Sequence, residues 1–147
     1  MNFYVYTDNN PVLLIDPFGL SSLVFNRKNG TLTLFDKDGK VIIMCSAANN
    51  AQRSSNGPWK NGTYPFLQHN DHPSDPNGPY GSYGIYIFNV PGRTGMGVHS
   101  GRENVSDGLG RKGPEYATDG CVRTTDTCMQ QITNFQSNDP LTKIAIQ

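Results

Sequence analysis

The 147-residue sequence has no apolar run near the roughly 20 residues needed to cross a bilayer as a helix. Its longest are Val12-Leu13-Leu14-Ile15 and Val41-Ile42-Ile43-Met44-Cys45, so no membrane span is expected. It has no excess charge of either sign, with 12 basic against 12 acidic residues. The long-range field that draws proteins to nucleic acid is therefore missing, and no nucleic-acid partner is expected. The start, Met1-Asn2-Phe3-Tyr4, lacks the basic and apolar regions of a secretory signal, so export is expected to depend on something else. The three cysteines, Cys45, Cys121 and Cys128, show no C-x-x-C spacing, which argues against a zinc site or a redox dithiol. An odd count leaves at least one thiol free. Cys45 and Cys128 can pair in an oxidising compartment, but burial tendencies favour two separate thiols. No internal repeat is present.

Glycine (16) and proline (10) are plentiful, while charged residues are sparse at 16%. Frequent turns and few helices follow, which reads as a mainly β protein. The length suits one domain with a proper core plus an appendage. Residues 22–25, 31–35 and 40–46, separated by Asn29-Gly30 and Asp38-Gly39, predict a three-stranded antiparallel meander. Residues 49–82 are rich in Asn, Ser, Gly and Pro and predict long surface loops around a short strand at 62–66. Tyr83 to Val90 predicts an alternating strand, and Gly95 to His99 a strand that ends at the histidine. The helix candidate is Thr124 to Phe135, capped by Thr124 or Thr125, with Cys128, Met129, Ile132 and Phe135 on one face. Leu141 to Ile146 closes the chain as a strand.

Cys121 lies between a glycine-containing turn and the expected helix start. Backbone N–H groups and the helix dipole would favour a thiolate there. Gly120 permits close backbone approach, and the N–H groups around Gly120 and Cys121 can form an oxyanion hole. Without further context, Cys121 also reads as a small buried residue at a turn. His99 likewise reads as a structural histidine, and Arg123 as a surface arginine. His69 and His72 lie at close spacing in a Pro- and Asn-rich stretch with no helix to bring ligands together. That segment is better read as a polar surface loop, and no metal site is expected.

The segment Thr118-Asp119-Gly120-Cys121-Val122-Arg123, preceded by Gly95-Met96-Gly97-Val98-His99-Ser100-Gly101, resembles the L,D-transpeptidase family. In that family a strand-end histidine is followed by [Ser/Thr]-x-Gly-Cys-x-Arg. The likeness extends over residues 28–147. Residues 32–46 look like the family's opening hairpin, Asn56 to Tyr64 like its Thr-Pro-x-Gly-x-Tyr segment, and Asp139 to Ile146 like its terminal strand. It implies a β-sandwich or barrel of short antiparallel and mixed strands, with one short helix after the cysteine.

By the same likeness, Cys121 is the nucleophile, and His99 is its base or imidazolium partner, held by the Ser100 carbonyl. Gly120 serves the oxyanion site. Arg123 would bind a substrate carboxylate or support the site, and Thr118 would hydrogen-bond near the thiol or serve the turn. Asp119 departs from the pattern, because the family commonly has histidine there. Arg102 and Glu103 either meet a zwitterionic peptide end or are solvated loop charges. The implied reaction is acyl transfer on peptidoglycan tetrapeptide stems, with another stem, a D-amino acid or water as acceptor and no cofactor.

Residues 1–20 stand apart. Asn9-Asn10-Pro11-Val12 followed by Ile15-Asp16-Pro17-Phe18-Gly19-Leu20 resembles the end of the Rhs core, a shell protein whose variable tips are often toxins and whose chain is typically cut after this stretch. The resemblance implies a junction after Leu20, a catalytic domain over 21–147, delivery into the periplasm of a target bacterium, and a cognate immunity protein as partner. A strand over 3–6 followed by a turn and linker is the plainer reading. Two rival functions remain: a papain-like Cys-His peptidoglycan amidase, in which the cysteine precedes the histidine, and a catalytically silent wall-binding module.

Overall fold

Residues 21–48 fold on two turns that need left-handed backbone, Gly30 at φ 65° and Gly39 at φ 79°. In the second turn, Asp36 Oδ1 also accepts from the Asp38 and Lys40 N–H groups at 2.8 and 2.9 Å. The resulting meander comprises β1 (Ser21–Asn26), β2 (Thr31–Phe35) and β3 (Val41–Ala48) in antiparallel register. The computed structural model describes residues 21–52 and 54–147, so the expectations for residues 1–20 lie outside the described residues.

Five further strands follow: β4 (Gly62–Asn70), β5 (Ile85–Phe88), β6 (Gly97–His99), β7 (Val122–Thr124) and β8 (Leu141–Ile146). They close a barrel in the order β1-β2-β3-β7-β6-β5-β4-β8. Two neighbouring pairs are parallel, β1 with β8 and β6 with β7. The helix α1 (Asp126–Gln136) starts at Thr125, whose side chain accepts from the Cys128 N–H, and buries Cys128, Met129 and Ile132. Leu23, Leu32, Trp59, Phe88, Val98, Val122 and Ile144 are among the residues that fill the core. Among the described residues, the mainly β fold with one short α-helix is the expected class.

Four expectations are corrected. The strand at 62–66 runs on to Asn70, because it pairs first with β8 and then, past a register shift between Phe66 and Gln68, with β5. The strand placed at 83–90 is only Ile85–Phe88, and all four of its residues are buried instead of alternating. Helix α1 lies against this strand, with Tyr86 Oη donating to Thr133 Oγ1 at 3.0 Å. Cys45 and Cys128 are not separate thiols: they form a disulfide between β3 and α1, with Cα atoms 6.1 Å apart. Finally, strand β7 separates Cys121 from α1, which begins at Asp126 after the expected cap Thr125. The dipole expected to favour its thiolate is therefore not at the sulfur.

Candidate functional site

Strand register decides which side chains meet. In the parallel pair β6–β7, Val98 lies beside Val122 and His99 beside Arg123. Side chains alternate along a strand, and both valines are fully buried in the core. The residues flanking them therefore turn to the opposite face, which carries His99, Arg123 and Cys121, next to side-chain-free Gly97. All three line one cleft of about 270 Å³, together with Tyr80, Arg102, Tyr116, Thr118 and Asp119.

His99 is buried, with 3% of the residue exposed. Its Nδ1 lies 2.8 Å from the Ser100 carbonyl. A carbonyl only accepts, so Nδ1 carries the proton and Nε2 keeps a free lone pair. Burial, with the neighbouring Arg123 charge, lowers the His99 pKa to about 4, and the imidazole is neutral at pH 7. Tyr80 packs edge-on to the ring at 5.1 Å. Ser100 is itself fixed, since its hydroxyl donates to Asp126 Oδ1 at 2.8 Å, and the same oxygen accepts from the Ser82 N–H. Gly81 lies against this contact, and a Cβ there would collide with Ser100 Oγ.

Cys121 is the free cysteine of the described residues and is partly buried. Burial pushes its thiol pKa up, against the lowering effects of a Gly97 N–H bond and of the Arg123 and Arg93 charges. Asp119, exposed at the cleft rim, adds a smaller upward effect. The Sγ–H points at the Gly95 carbonyl, 3.5 Å away. The pair is thus a neutral thiol and a neutral imidazole.

The turn that carries the cysteine is tied internally. Thr118 Oγ1 accepts from the Gly120 N–H at 3.2 Å and donates to the Cys121 carbonyl at 2.7 Å, so Thr118 organises the turn. Gly120 sits at φ 130°, and a Cβ there would strike the Arg93 guanidinium. Arg93 in turn donates to the Gly57 and Pro58 carbonyls at 3.0 and 3.2 Å.

Arg123 and Arg102 approach the Tyr116 ring with their guanidinium carbons 5.3 and 5.1 Å from its centroid. Buried N–H donors of both, Arg123 Nε and Nη1 and Arg102 Nε, have no hydrogen-bond partner among the described residues. Burial and the Arg102 charge lower the Arg123 pKa to about 10, so it stays cationic at neutral pH. Arg102 has a left-handed φ of 58°, a costly conformation for a side-chain-bearing residue, and one that recurs at binding sites. The cleft thus pairs a thiol and a base with a concentrated demand for an anion.

Glu103 does not reach the cleft, because its Oε1 accepts from the Asp126 N–H at the helix start, 2.6 Å away. His69 stacks on Tyr86 at 4.1 Å and bonds the Tyr83 carbonyl, while His72 stacks on Tyr80 at 3.9 Å. Sequence reasoning missed Tyr80, Arg93, Tyr116, Asn49 and Asp126. They reach the site from loops or element ends, Tyr80 and Asn49 from far away in sequence, and no local pattern marks them.

Neither a protein-family model nor a curated protein matches the sequence. Solved structures do match the fold. Bd1075 of Bdellovibrio bacteriovorus aligns with a TM-score of 0.68 at 18% identity, over 92% of this chain and 51% of that one. An L,D-transpeptidase from Xylanimonas cellulosilytica aligns at 0.56 and 14% identity, over 88% of this chain and 61% of that one. L,D-transpeptidase 1 of Mycobacterium tuberculosis aligns at 0.55 and 12% identity, over 88% and 62% respectively. The chain therefore spans only about half to three-fifths of the length of these structures. At such identities the shared property is the fold, which is L,D-transpeptidase-like.

Proposed function

We propose that this domain is a cysteine acyl transferase acting on the tetrapeptide stems of peptidoglycan. The observation that carries the reading is the content of one cleft: a free thiol, a neutral imidazole with its lone pair on Nε2, and two guanidinium groups with unpartnered buried donors. A base that is neutral at pH 7 can take the thiol proton as Cys121 Sγ attacks the carbonyl between the third stem residue and the terminal D-alanine. A tetrahedral oxyanion forms. Its collapse breaks the C–N bond, and the proton passes from His99 to the leaving amine, so D-alanine departs and a thioester remains. Attack by a stem amine, a D-amino acid or water then regenerates the thiol. Arg123 and Arg102 suit the terminal carboxylate of the donor stem. The fold likeness to L,D-transpeptidases supports the substrate class.

The resemblance of residues 9–20 to the end of an Rhs core supports a further reading. The domain is a toxin tip, delivered by a parent shell protein into a competitor's periplasm and countered in its producer by an immunity protein.

Incubating muropeptides with the wild type and with Cys121→Ala, followed by mass analysis, tests the reaction. Loss of one D-alanine, a D-amino-acid swap or a dimer is expected with the wild type alone. Unchanged muropeptides in the presence of folded wild type would sink the proposal. For the toxin reading, expression directed to the periplasm of a target bacterium is expected to breach the wall, whereas cytoplasmic expression is not. An intact wall in both cases overturns it.

A further inference from the structure

A second and larger cavity, of about 830 Å³, lies between the β1–β2 turn, the end of β3 and the loop at 111–115, and Asn49 and Arg27 line it. Asn49 is placed there by four hydrogen bonds. Its Oδ1 accepts from the Trp59 N–H at 2.7 Å and from Arg27 Nη1 at 3.0 Å. Both partners are obligate donors, so the amide orientation follows, and Nδ2 is left to donate. It does so to the carbonyls of Gly120 and Cys121, at 2.6 and 3.0 Å.

With Thr118 holding the Gly120 N–H and sharing the Cys121 carbonyl, three of the four main-chain polar groups of Gly120 and Cys121 are engaged. The fourth, the Cys121 N–H, has no partner among the described residues. In a planar trans peptide the C=O and the following N–H point in opposite directions. The grip of Asn49 on the Gly120 carbonyl therefore turns the Cys121 N–H away from Asn49.

We infer that Asn49 is a positioning residue. It holds the Gly120–Cys121 peptide so that the Cys121 N–H donates to the oxyanion formed when Cys121 is acylated, and Arg27 and Trp59 hold Asn49 in turn. The inference rests on the acyl-transfer reading above. Asn49 touches no reacting atom, so its effect must appear where negative charge develops on oxygen and nowhere else.

Asn49→Asp is the discriminating substitution: it keeps the shape and the acceptor for Trp59 and Arg27, and sets an acceptor against two carbonyls. Two reactions of the same sulfur separate the possibilities. Acylation by a tetrapeptide muropeptide passes through an oxyanion, whereas alkylation by iodoacetamide, a displacement at saturated carbon, does not.

In Asn49→Asp, kcat for D-alanine release is expected to fall about 10- to 100-fold, less than the ~10²–10³ seen on removing such a donor outright. KM is expected to change little, and the alkylation rate to fall far less than kcat, by the modest rise in thiol pKa that a nearby carboxylate brings. Arg27→Met, which removes one of the two donors to Asn49 Oδ1, is expected to give a smaller loss with the same signature, and it supplies the test if Asn49→Asp does not fold. Equal losses in acylation and alkylation, or unchanged acylation, overturn the inference while leaving the acyl-transfer reading intact. A folded wild type that alkylates but is acylated by no stem peptide overturns both.

Discussion

Burial holds the His99 imidazole neutral, and this couples the site's chemistry to the stability of the whole barrel. The folded pKa is about 4 against an ordinary 6.5, so between those values the unfolded chain binds a proton that the folded chain refuses. Stability therefore rises with pH across that window, is fully present above about 6.5, and is lost as pH falls towards 4. The difference corresponds to about 3 kcal/mol. Urea midpoints measured from pH 4 to 7 are expected to show this slope in the wild type and to lose most of it in His99→Gln. If His99 is the base, the acid limb of kcat/KM falls near pH 4, well below that of an ordinary imidazole. The second prediction at this scale concerns Arg123. Arg123→Met is expected to lower kcat/KM at least 10-fold for a stem with a free terminal carboxylate, and far less for one whose terminus is an amide. Equal losses on both donors would remove Arg123 from carboxylate recognition.

At the scale of elements, the short parallel pair β6–β7 and the start of α1 carry the site. One residue of register slip of β7 against β6 would send Cys121 and Arg123 into the core and Val122 into the cleft, away from His99. Helix α1 contributes through its first turn, where Thr125 caps it, Glu103 binds its first N–H, and Asp126 holds Ser100 behind His99. Thr125→Ala is expected to cost about 1 kcal/mol, the usual value of such a cap, measured by denaturant unfolding. Asp126→Ala is expected to cost more. It strands the buried Ser100 hydroxyl and the Ser82 N–H, each worth about 1–3 kcal/mol, and loosens the histidine's support.

For the whole molecule, the disulfide joins residues 83 apart in sequence and clamps α1 to β3 across the barrel. A cross-link closing a loop of that size restricts the unfolded chain by roughly 4–5 kcal/mol in the chain-entropy account, with about 2–4 typical in practice. Reduction with dithiothreitol is expected to shift the urea midpoint down accordingly, and the Cys45→Ala/Cys128→Ala variant should match the reduced protein. Such a bond persists in oxidising compartments, which agrees with the proposed action in the periplasm.

Much of the fold was legible in the chain because it is locally encoded. Asn29-Gly30 and Asp38-Gly39 supply backbone angles that few other residues adopt, and the apolar spacing of α1 marks its buried face. The juxtaposition of Thr118–Arg123 with a strand-end His99 marked the candidate site by family likeness. Other features depended on partners remote in sequence. The length of β4 follows from its pairing with both β8 and β5, and the core position of Tyr86 and Phe88 from packing with the helix residues Cys128, Met129 and Ile132. The disulfide became visible only when β3 and α1 met. Tertiary structure also decided the charge state of the site, because a histidine's pKa answers to burial and to neighbouring charges such as Arg123. The amino-acid order marked Cys121 and His99 as the proposed nucleophile and base, together with the strands that bear them. The closed barrel decided that the imidazole is neutral, that two arginines share one cleft, and that Asn49 grips the turn, since each depends on contacts no local stretch of sequence contains.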